Sequence, residues 1–108
     1  MNDSIIIAHR GMDEIYPENT IAAFDAALKK GMAIEIDVRG TADEHLVIMH
    51  DVTVDRTTDG SGEVAKMALS DLKDLDAGSW WNPEFKGERI PTLEETFDIV
   101  KEHGTAET

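Results

Sequence analysis

The segment that constrains the fold most is Ala33-Ile34-Glu35-Ile36-Asp37-Val38. Its β-branched residues recur at every second position, which predicts a strand with one apolar face. Glu35 and Asp37 occupy the other face, where two carboxylates lie about 6–7 Å apart on the same side. Carboxylates this close repel each other, so they commonly share a cation or titrate at different pH values. A solvated strand face in an acidic chain is the alternative interpretation.

Two further apolar runs each end in a histidine followed by a charged residue. The run from Ile5 to Ala8 leads into His9-Arg10-Gly11, and the run from Leu46 to Met49 leads into His50-Asp51. Continuous apolar runs are typical of strands that are buried on both faces of a parallel sheet. Ligands of α/β proteins bind at the carboxyl ends of such strands. We therefore expect these polar residues to lie near the acidic pair.

The segments between and after the runs contain three helix signals, each with a helical spacing of apolar residues or a capping residue. Helices are predicted at residues 20–30, 70–75 and 93–103, with caps at Asn19 or Thr20, at Ser70 and at Thr92. The third is the best defined, because Thr92 and Glu95 have the spacing of a capping box. A helix between the first two strands predicts a right-handed βαβ unit.

The connection from Arg39 to His45 leaves the direction of the third strand open. Seven residues are few for a parallel crossover, which normally takes a dozen or more. A hairpin would pair Thr41 with Leu46 and place His50 opposite the second carboxylate of the acidic pair. A crossover without a helix would also bring the histidine to that carboxylate, so the predicted site does not depend on the choice.

Size and charge restrict the classes of function. The chain has 108 residues, which predicts a single domain, and a formal net charge of −13, which argues against nucleic acid or an anionic membrane as partner. It has no cysteine, so a metal site must use oxygen or histidine ligands. Neither a leader-like N-terminus nor a run of roughly 20 apolar residues is present. We expect a cytoplasmic protein without a stable membrane anchor.

Two histidines, an arginine and two acids at strand ends suit metal-assisted attack on a phosphodiester. Carboxylates hold a hard divalent cation, and the cation and Arg10 neutralise the phosphate. His9 and His50 can divide the proton transfers, one as base toward the nucleophile and one as acid toward the leaving alkoxide. The residues thus predict a small-molecule phosphodiester as the substrate.

The order of these motifs along the chain closely resembles the glycerophosphodiester phosphodiesterase family over residues 5 to about 103. The motifs are His9-Arg10-Gly11, Glu18-Asn19-Thr20, Ala23-Phe24, Glu35-Ile36-Asp37-Val38, His50-Asp51, Arg56-Thr57-Thr58, Gly62 and Ile90-Pro91-Thr92-Leu93-Glu94-Glu95. The resemblance implies a (β/α)₈ TIM barrel of the phospholipase C-like type. It also implies hydrolysis of glycerophosphodiesters to an alcohol and glycerol 3-phosphate.

The resemblance also implies the role of each site residue. His9 and His50 would be the acid/base pair, Arg10 would contact the phosphate, and Glu35 and Asp37 would bind a divalent ion, Mg²⁺ or Ca²⁺. Family members run their second and third strands parallel, which favours the crossover over the hairpin. Residues from Val52 to about Gly87 resemble the small insertion over the barrel mouth. We expect Trp80 and Trp81 to anchor this insertion, and the alternative is that they line a substrate mouth.

Family barrels contain five more strands, and the next one supplies another acidic ligand and a lysine. Residues 1–108 are therefore expected to form one partial barrel domain, with the first three parallel strands, their helices and the insertion, and to be incomplete as a catalyst. Truncation, self-association over the open face and a distinct fold are the explanations left open. The rival functions are another phospholipase C-like lipase, acting on lysophospholipids or phosphoinositides, and a non-catalytic metal- or phosphate-binding half-barrel that self-associates.

Overall fold

A computed structural model describes residues 7–12 and 14–103. The strands are β1 (Ile7–Ala8), β2 (Ala33–Ile34), β3 (Val38–Gly40) and β4 (Leu46–Ile48). The α-helices are α1 (Ile21–Lys29), α2 (Leu69–Lys73) and α3 (Leu93–Glu102), and short 3₁₀ helices lie at Val64–Lys66 and Pro83–Phe85. Helices and strands thus alternate at the start of the chain, and an irregular segment separates β4 from α3.

The first half of the chain forms the predicted βαβ unit. β1 and β2 are parallel neighbours, with Ile7 opposite Ala33 and Ala8 opposite Ile34. Of the predicted first strand, Ile5 and Ile6 lie outside the described residues. Helix α1 joins the two strands and buries its apolar face, which consists of Ala23, Phe24, Ala27 and Leu28.

The predicted continuous strand from Ala33 to Val38 is divided between two sheets. β2 ends at Ile34 and β3 begins at Val38, so Glu35 and Asp37 lie in the connecting segment. The Glu35 N–H still donates to the Ala8 carbonyl at 2.9 Å. The Asp37 carbonyl instead accepts from the Met49 N–H at 2.9 Å, on the opposite side of the segment. The chain leaves one sheet and enters the other across these residues, which explains why a regular ladder is interrupted there.

The predicted parallel crossover between the second and third strands is wrong. β3 and β4 form an antiparallel hairpin, with Val38 opposite Ile48 and Gly40 opposite Leu46. The turn is closed by local bonds, since the Thr41 N–H donates to the His45 carbonyl at 2.9 Å. A short polar connection can make a hairpin, whereas a crossover needs more residues. The hairpin register also differs by one residue from the alternative that pairs Thr41 with Leu46.

The main hydrophobic core lies between the hairpin and the segment that follows it. Its buried residues come from β4 and the residue after it, from the insertion and from the residue before Pro91, and they are Val47, Met49, Val54, Val64, Leu72, Ala77 and Ile90. Met67, Leu69 and Leu75 pack against this cluster. Burial of large aliphatic side chains contributes roughly 1.5–3 kcal/mol each, so this core holds the irregular segment in place.

Helix starts follow the predictions except at α2. Thr20 caps α1 by accepting from the Ala23 N–H, so the cap is not Asn19. Thr92 and Glu95 form both bonds of the capping box at α3. The predicted cap Ser70 lies inside α2, which begins at Leu69. The Asp43 carboxylate accepts from the Leu69 N–H at 3.1 and 3.3 Å, so a residue of the hairpin turn supplies the cap.

Several apolar residues predicted to be buried are exposed. Ile7 in β1 is 63% exposed and Leu46 in β4 is 50% exposed, so these strands are not covered on both faces. Phe97 of the α3 stripe is 54% exposed. Neighbouring barrel strands are what would cover such faces in a closed α/β barrel. Within the described residues, no helix is both long and apolar enough to cross a lipid bilayer.

Candidate active site

The residues after β1 make a tight turn against α1. The Gly11 N–H donates to the Ala8 carbonyl at 3.2 Å, and Arg10 has a φ of 52°, in the left-handed region. Gly11 has a φ of 80°, and a Cβ there would lie 2.7 Å from the Ala23 Cβ. Only glycine fits this approach of loop and helix. The turn fixes where His9 and Arg10 leave the end of the strand.

The Arg10 guanidinium lies between two carboxylates. Its NH1 is 3.3 Å from Glu18 Oε1, and its Nε is 3.5 Å from Asp37 Oδ2. The side chains of Arg10 and Glu18 are 17% and 9% exposed. Within the described part of the chain, the buried Arg10 Nε has no hydrogen-bond partner. The site therefore contains a cation that is well shielded from water.

His9 and Glu35 form the more open part of the site. His9 Nε2 lies 3.3 Å from Glu35 Oε1, and the two side chains are 54% and 48% exposed. This pair joins the end of β1 to the residue just after β2, as the parallel register of those strands requires. Water and a small ligand can reach both groups.

Asn19 orients the second acid of the predicted pair. It is 4% exposed and has a φ of 54°, and its N–H donates to the Arg10 carbonyl at 2.8 Å. Its Nδ2 donates to Asp37 Oδ2 at 3.0 Å. The Oδ1 of Asn19 is buried without a hydrogen-bond partner among the described residues. Asparagine tolerates the left-handed conformation better than most residues, which explains its use here.

His50 is held by the residues around it rather than by the acidic pair. Its Nδ1 lies 2.8 Å from Asp51 Oδ1. Its carbonyl accepts from Arg39 Nε and NH2 at 3.0 and 2.7 Å. The Met49 N–H bond to the Asp37 carbonyl brings the start of this segment to the acidic connection. His50 is thus adjacent to the site through its backbone.

Arg56 completes a line of alternating charges between His50 and Arg10. It donates to Asp51 from Nε and NH2 at 2.9 and 3.0 Å, and to Glu18 from NH1 and NH2 at 2.9 and 3.0 Å. Hydrogen bonds from Arg56 and then from His50 hold the pKa of Asp51 well below its usual value. Bonds to Asp51 and then to Glu18 raise the pKa of Arg56 further. Both groups are therefore ionised at neutral pH.

The structure thus brings four of the five predicted residues together as two pairs, His9 with Glu35 and Arg10 with Asp37, and places His50 alongside. Sequence reasoning assigned no site role to the residues that link them. These are Glu18, Asn19, Asp51 and Arg56. Glu18 and Arg56 are 38 residues apart in the chain, so no local spacing indicates their contact. The available signals were their places in the motifs Glu18-Asn19-Thr20, His50-Asp51 and Arg56-Thr57-Thr58, and the presence of charged residues in otherwise turn-forming loops.

The predicted anchoring role of the tryptophans agrees with their contacts. Trp81 Nε1 donates to the Ile15 carbonyl at 3.0 Å, and Trp80 Nε1 donates to the Ala77 carbonyl at 3.0 Å. The Arg56 guanidinium lies 5.9 Å from the ring centre of Trp80. The tryptophans therefore tie the insertion to the loop after β1 and support the arginine that enters the site.

The donor set for a cation comprises oxygens rather than sulfur. Among residues 7–12 and 14–103, no group of three or more His, Asp or Glu side chains is arranged to hold a metal ion. Glu35 and Asp37 are carboxylates that remain partly exposed, and the unpartnered Asn19 Oδ1 lies on the residue bonded to Asp37. Hard divalent cations prefer such oxygens and complete their shell with water. The residues fit a hard divalent ion, with few protein ligands.

Comparison with known proteins gives a consistent family. The model of the glycerophosphoryl diester phosphodiesterase family matches residues 9–107. A glycerophosphodiester phosphodiesterase of Caldanaerobacter subterraneus subsp. tengcongensis is 52% identical over 98 residues, which cover 90% of this chain and 40% of that protein.

Comparison with solved structures gives the same family. A glycerophosphodiester phosphodiesterase from Agrobacterium tumefaciens superimposes with a TM-score of 0.89 at 44% identity, over 93% of this chain and 44% of that one. An Oleispira antarctica phosphodiesterase, solved in complex with the product sn-glycerol-3-phosphate, also has a TM-score of 0.89 at 44% identity, over 94% of this chain and 41% of that one.

These matches confirm the predicted α/β fold class, since the chain has the fold of part of a (β/α)₈ barrel and spans about two fifths of the length of these relatives. The relatives are named as phosphoric diester hydrolases, and the family in general depends on a divalent metal ion. The chain belongs to the glycerophosphoryl diester phosphodiesterase family.

Proposed function

We propose that this chain carries the first part of a site for metal-dependent hydrolysis of glycerophosphodiesters to an alcohol and glycerol 3-phosphate. The observation that carries the proposal is the position of Arg10, which lies between Glu18 and Asp37 beside the His9–Glu35 pair. A guanidinium shielded from bulk water is suited to bind a phosphate, even in a chain with a net charge of −13.

In this proposal, His9 and His50 are the acid/base pair. One imidazole removes a proton from the water molecule that attacks phosphorus, and a new P–O bond to the water oxygen forms as the P–O bond to the alcohol breaks. The other imidazole donates a proton to the leaving alkoxide. Both side chains are about half exposed, at 54% and 45%, so each can exchange its proton with solvent or substrate.

Glu35 and Asp37 are proposed to hold the divalent ion, Mg²⁺ or Ca²⁺, which supplies neutralisation of phosphate charge when it is bound. Asn19 keeps Asp37 in place by the hydrogen bond that its side-chain amide donates to the Asp37 carboxylate. Glu35 is free to change rotamer at little cost because it is largely exposed. Two protein carboxylates give modest affinity, since the remaining ligand positions fall to water.

Two alternatives remain within this proposal. A phospholipase C-like lipase for lysophospholipids or phosphoinositides would use similar residues. A non-catalytic metal- or phosphate-binding half-barrel that self-associates is favoured by the exposure of Ile7, Leu46 and Phe97. Exposed large apolar side chains of this kind can mark an interaction surface. The mass by light scattering tests that alternative, since a stable monomer would contradict it.

The proposal is tested by phosphodiester hydrolysis with Mg²⁺ or Ca²⁺, using glycerophosphodiester, lysophospholipid and phosphoinositide substrates. Turnover of the glycerophosphodiester that requires both the cation and His9, and that is lost in His9→Ala, would support the proposed function. The matched control is His45→Ala, because His45 is an exposed histidine of the hairpin turn. Cation binding without turnover would replace the enzyme by the non-catalytic module, and preference for another substrate would favour the lipase.

A further inference from the structure

The line of charges from His50 to Arg10 is built from residues outside the proposed acid/base pair and cation site. It runs through Asp51, Arg56 and Glu18, and we call these three residues the ion-pair chain. Arg56 is its centre and uses its three nitrogens to contact both carboxylates, at 2.9–3.0 Å. A planar guanidinium fork suits such paired contacts, which a lysine ammonium cannot reproduce.

The ion-pair chain determines which nitrogen of His50 carries a proton in the neutral ring. Asp51 Oδ1 lies 2.8 Å from His50 Nδ1, and hydrogen bonds from Arg56 keep the Asp51 carboxylate ionised. An ionised carboxylate only accepts hydrogen bonds, so Nδ1 must be the donor. Nε2 is then left with its lone pair, which is the form a general base requires.

The same chain reaches the proposed phosphate ligand. Glu18 accepts from Arg56 and lies 3.3 Å from Arg10 NH1. Its side chain is 9% exposed, so its charge is shielded from water and depends on the two guanidinium groups. Removal of the Glu18 carboxylate would take one carboxylate partner from each of the two arginines.

We propose that Asp51 and Arg56 are positioning residues for His50, and that Glu18 couples them to Arg10. The proposal concerns residues outside the proposed acid/base pair and cation site, and it rests on the proposed function only for the roles of His50 and Arg10. The other charged group at His50 is Arg39, which bonds its carbonyl and not its ring. The tautomer of the ring is therefore assigned to Asp51 alone.

The test is ¹⁵N NMR of the imidazoles in the whole chain, at a pH where they are neutral. We expect the Nδ1–H tautomer for His50, with a pyridine-like Nε2 signal, and the usual mixture with Nε2–H in excess for exposed His45. Asp51→Ala should convert His50 to that mixture. Asp98→Asn, which removes an equal charge from an exposed position of α3, should leave the His50 signals unchanged.

A second measurement tests Arg56 and Glu18. The Arg56 Nε–H donates to Asp51, so its exchange with water should become about tenfold faster in Asp51→Ala, the loss of one charged hydrogen bond. Glu18→Gln should accelerate exchange of the Arg10 and Arg56 N–H groups together. In Arg56→Lys, the His50 ring signals should differ from those of the wild type.

The inference is overturned if His50 shows the Nε2–H tautomer in the wild type, or if Asp51→Ala leaves its ring signals unchanged. It is also overturned if Glu18→Gln alters exchange at one arginine and not at the other. These readouts need no turnover, so they separate this inference from the proposed function. A chain with the Nδ1–H form and no hydrolysis would keep the former and lose the latter.

Discussion

The two histidines of the candidate site have opposite surroundings. His50 Nδ1 lies 2.8 Å from Asp51, and Asp51 accepts a hydrogen bond from Arg56, which also donates to the shielded Glu18. His9 lies 3.3 Å from Glu35, with both side chains about half exposed. The His50 side is organised by charges within the chain itself. The His9 side keeps its carboxylate open, as a cation-binding group must.

Packing accounts for the difference between the two sides. The segment after His50 is fixed by the core around Val54 and Leu72, and Arg56 also lies 5.9 Å from the ring centre of Trp80. The His9 side stands on β1 and β2, where apolar side chains such as Ile7 are exposed. The better pre-organised side of the site is therefore the one that packs against the larger hydrophobic core. Variants of Glu18, Asn19 and Asp51 test this difference between the two sides.

Glu18→Gln should lower the free energy of unfolding by about 3 kcal/mol, because it removes a shielded carboxylate from two guanidinium groups. Urea denaturation followed by circular dichroism measures this change. The matched variant is Glu35→Gln on the His9 side, which should change the free energy by about 0.5 kcal/mol or less, since exposed pairs contribute little. Equal losses in the two variants would contradict the comparison.

Asn19→Ala should cost about 2 kcal/mol of the free energy of unfolding. The change removes the bond to Asp37 and forces alanine into a left-handed conformation, each worth roughly 1 kcal/mol. Asn19→Gly relieves the second term and should cost about half as much. If glycine were as destabilising as alanine, backbone strain would have no part in the choice of Asn19.

Asp51 should make stability depend on pH in acid. Its pKa is lowered in the folded state from the usual 3.8, so its contribution is present above that value and is lost as the pH falls further. Between about pH 5 and about pH 2, the wild type should lose about 1 kcal/mol more than Asp51→Asn, a modest amount because the group is partly exposed. Parallel pH curves for the two proteins would show that Asp51 is not held by Arg56 in solution.

Sequence reasoning succeeded where the determinant is local. The capping box at Thr92 and the apolar stripe of α1 lie within a few residues, and both helices were predicted within a residue or two. The crossover was mistaken because the family resemblance was preferred over the short connection from Arg39 to His45. The register of the hairpin depends on the Thr41 turn, whose bonds a spacing argument cannot specify.

The site was predictable only in part, for the same reason. Strand-end positions indicated His9, Arg10 and the acidic pair, because the ends of adjacent parallel strands meet at one edge. The contact of Glu18 with Arg56 crosses 38 residues and requires the insertion to fold back over the loop after β1. The sequence around each of the two residues does not indicate that the insertion folds back in this way. Long-range ion pairs of this kind become visible only in the folded chain.

The most direct test of the contrast between the two sides is titration of the ¹⁵N-labelled chain with Mg²⁺ or Ca²⁺, followed by NMR. We predict saturable shifts of His9 and residues 35–37, small shifts of Asp51 and Arg56, and loss of the saturable response in Asp37→Asn. Shifts spread evenly over the acidic surface, or a response larger at Asp51 than at Glu35, would contradict the account.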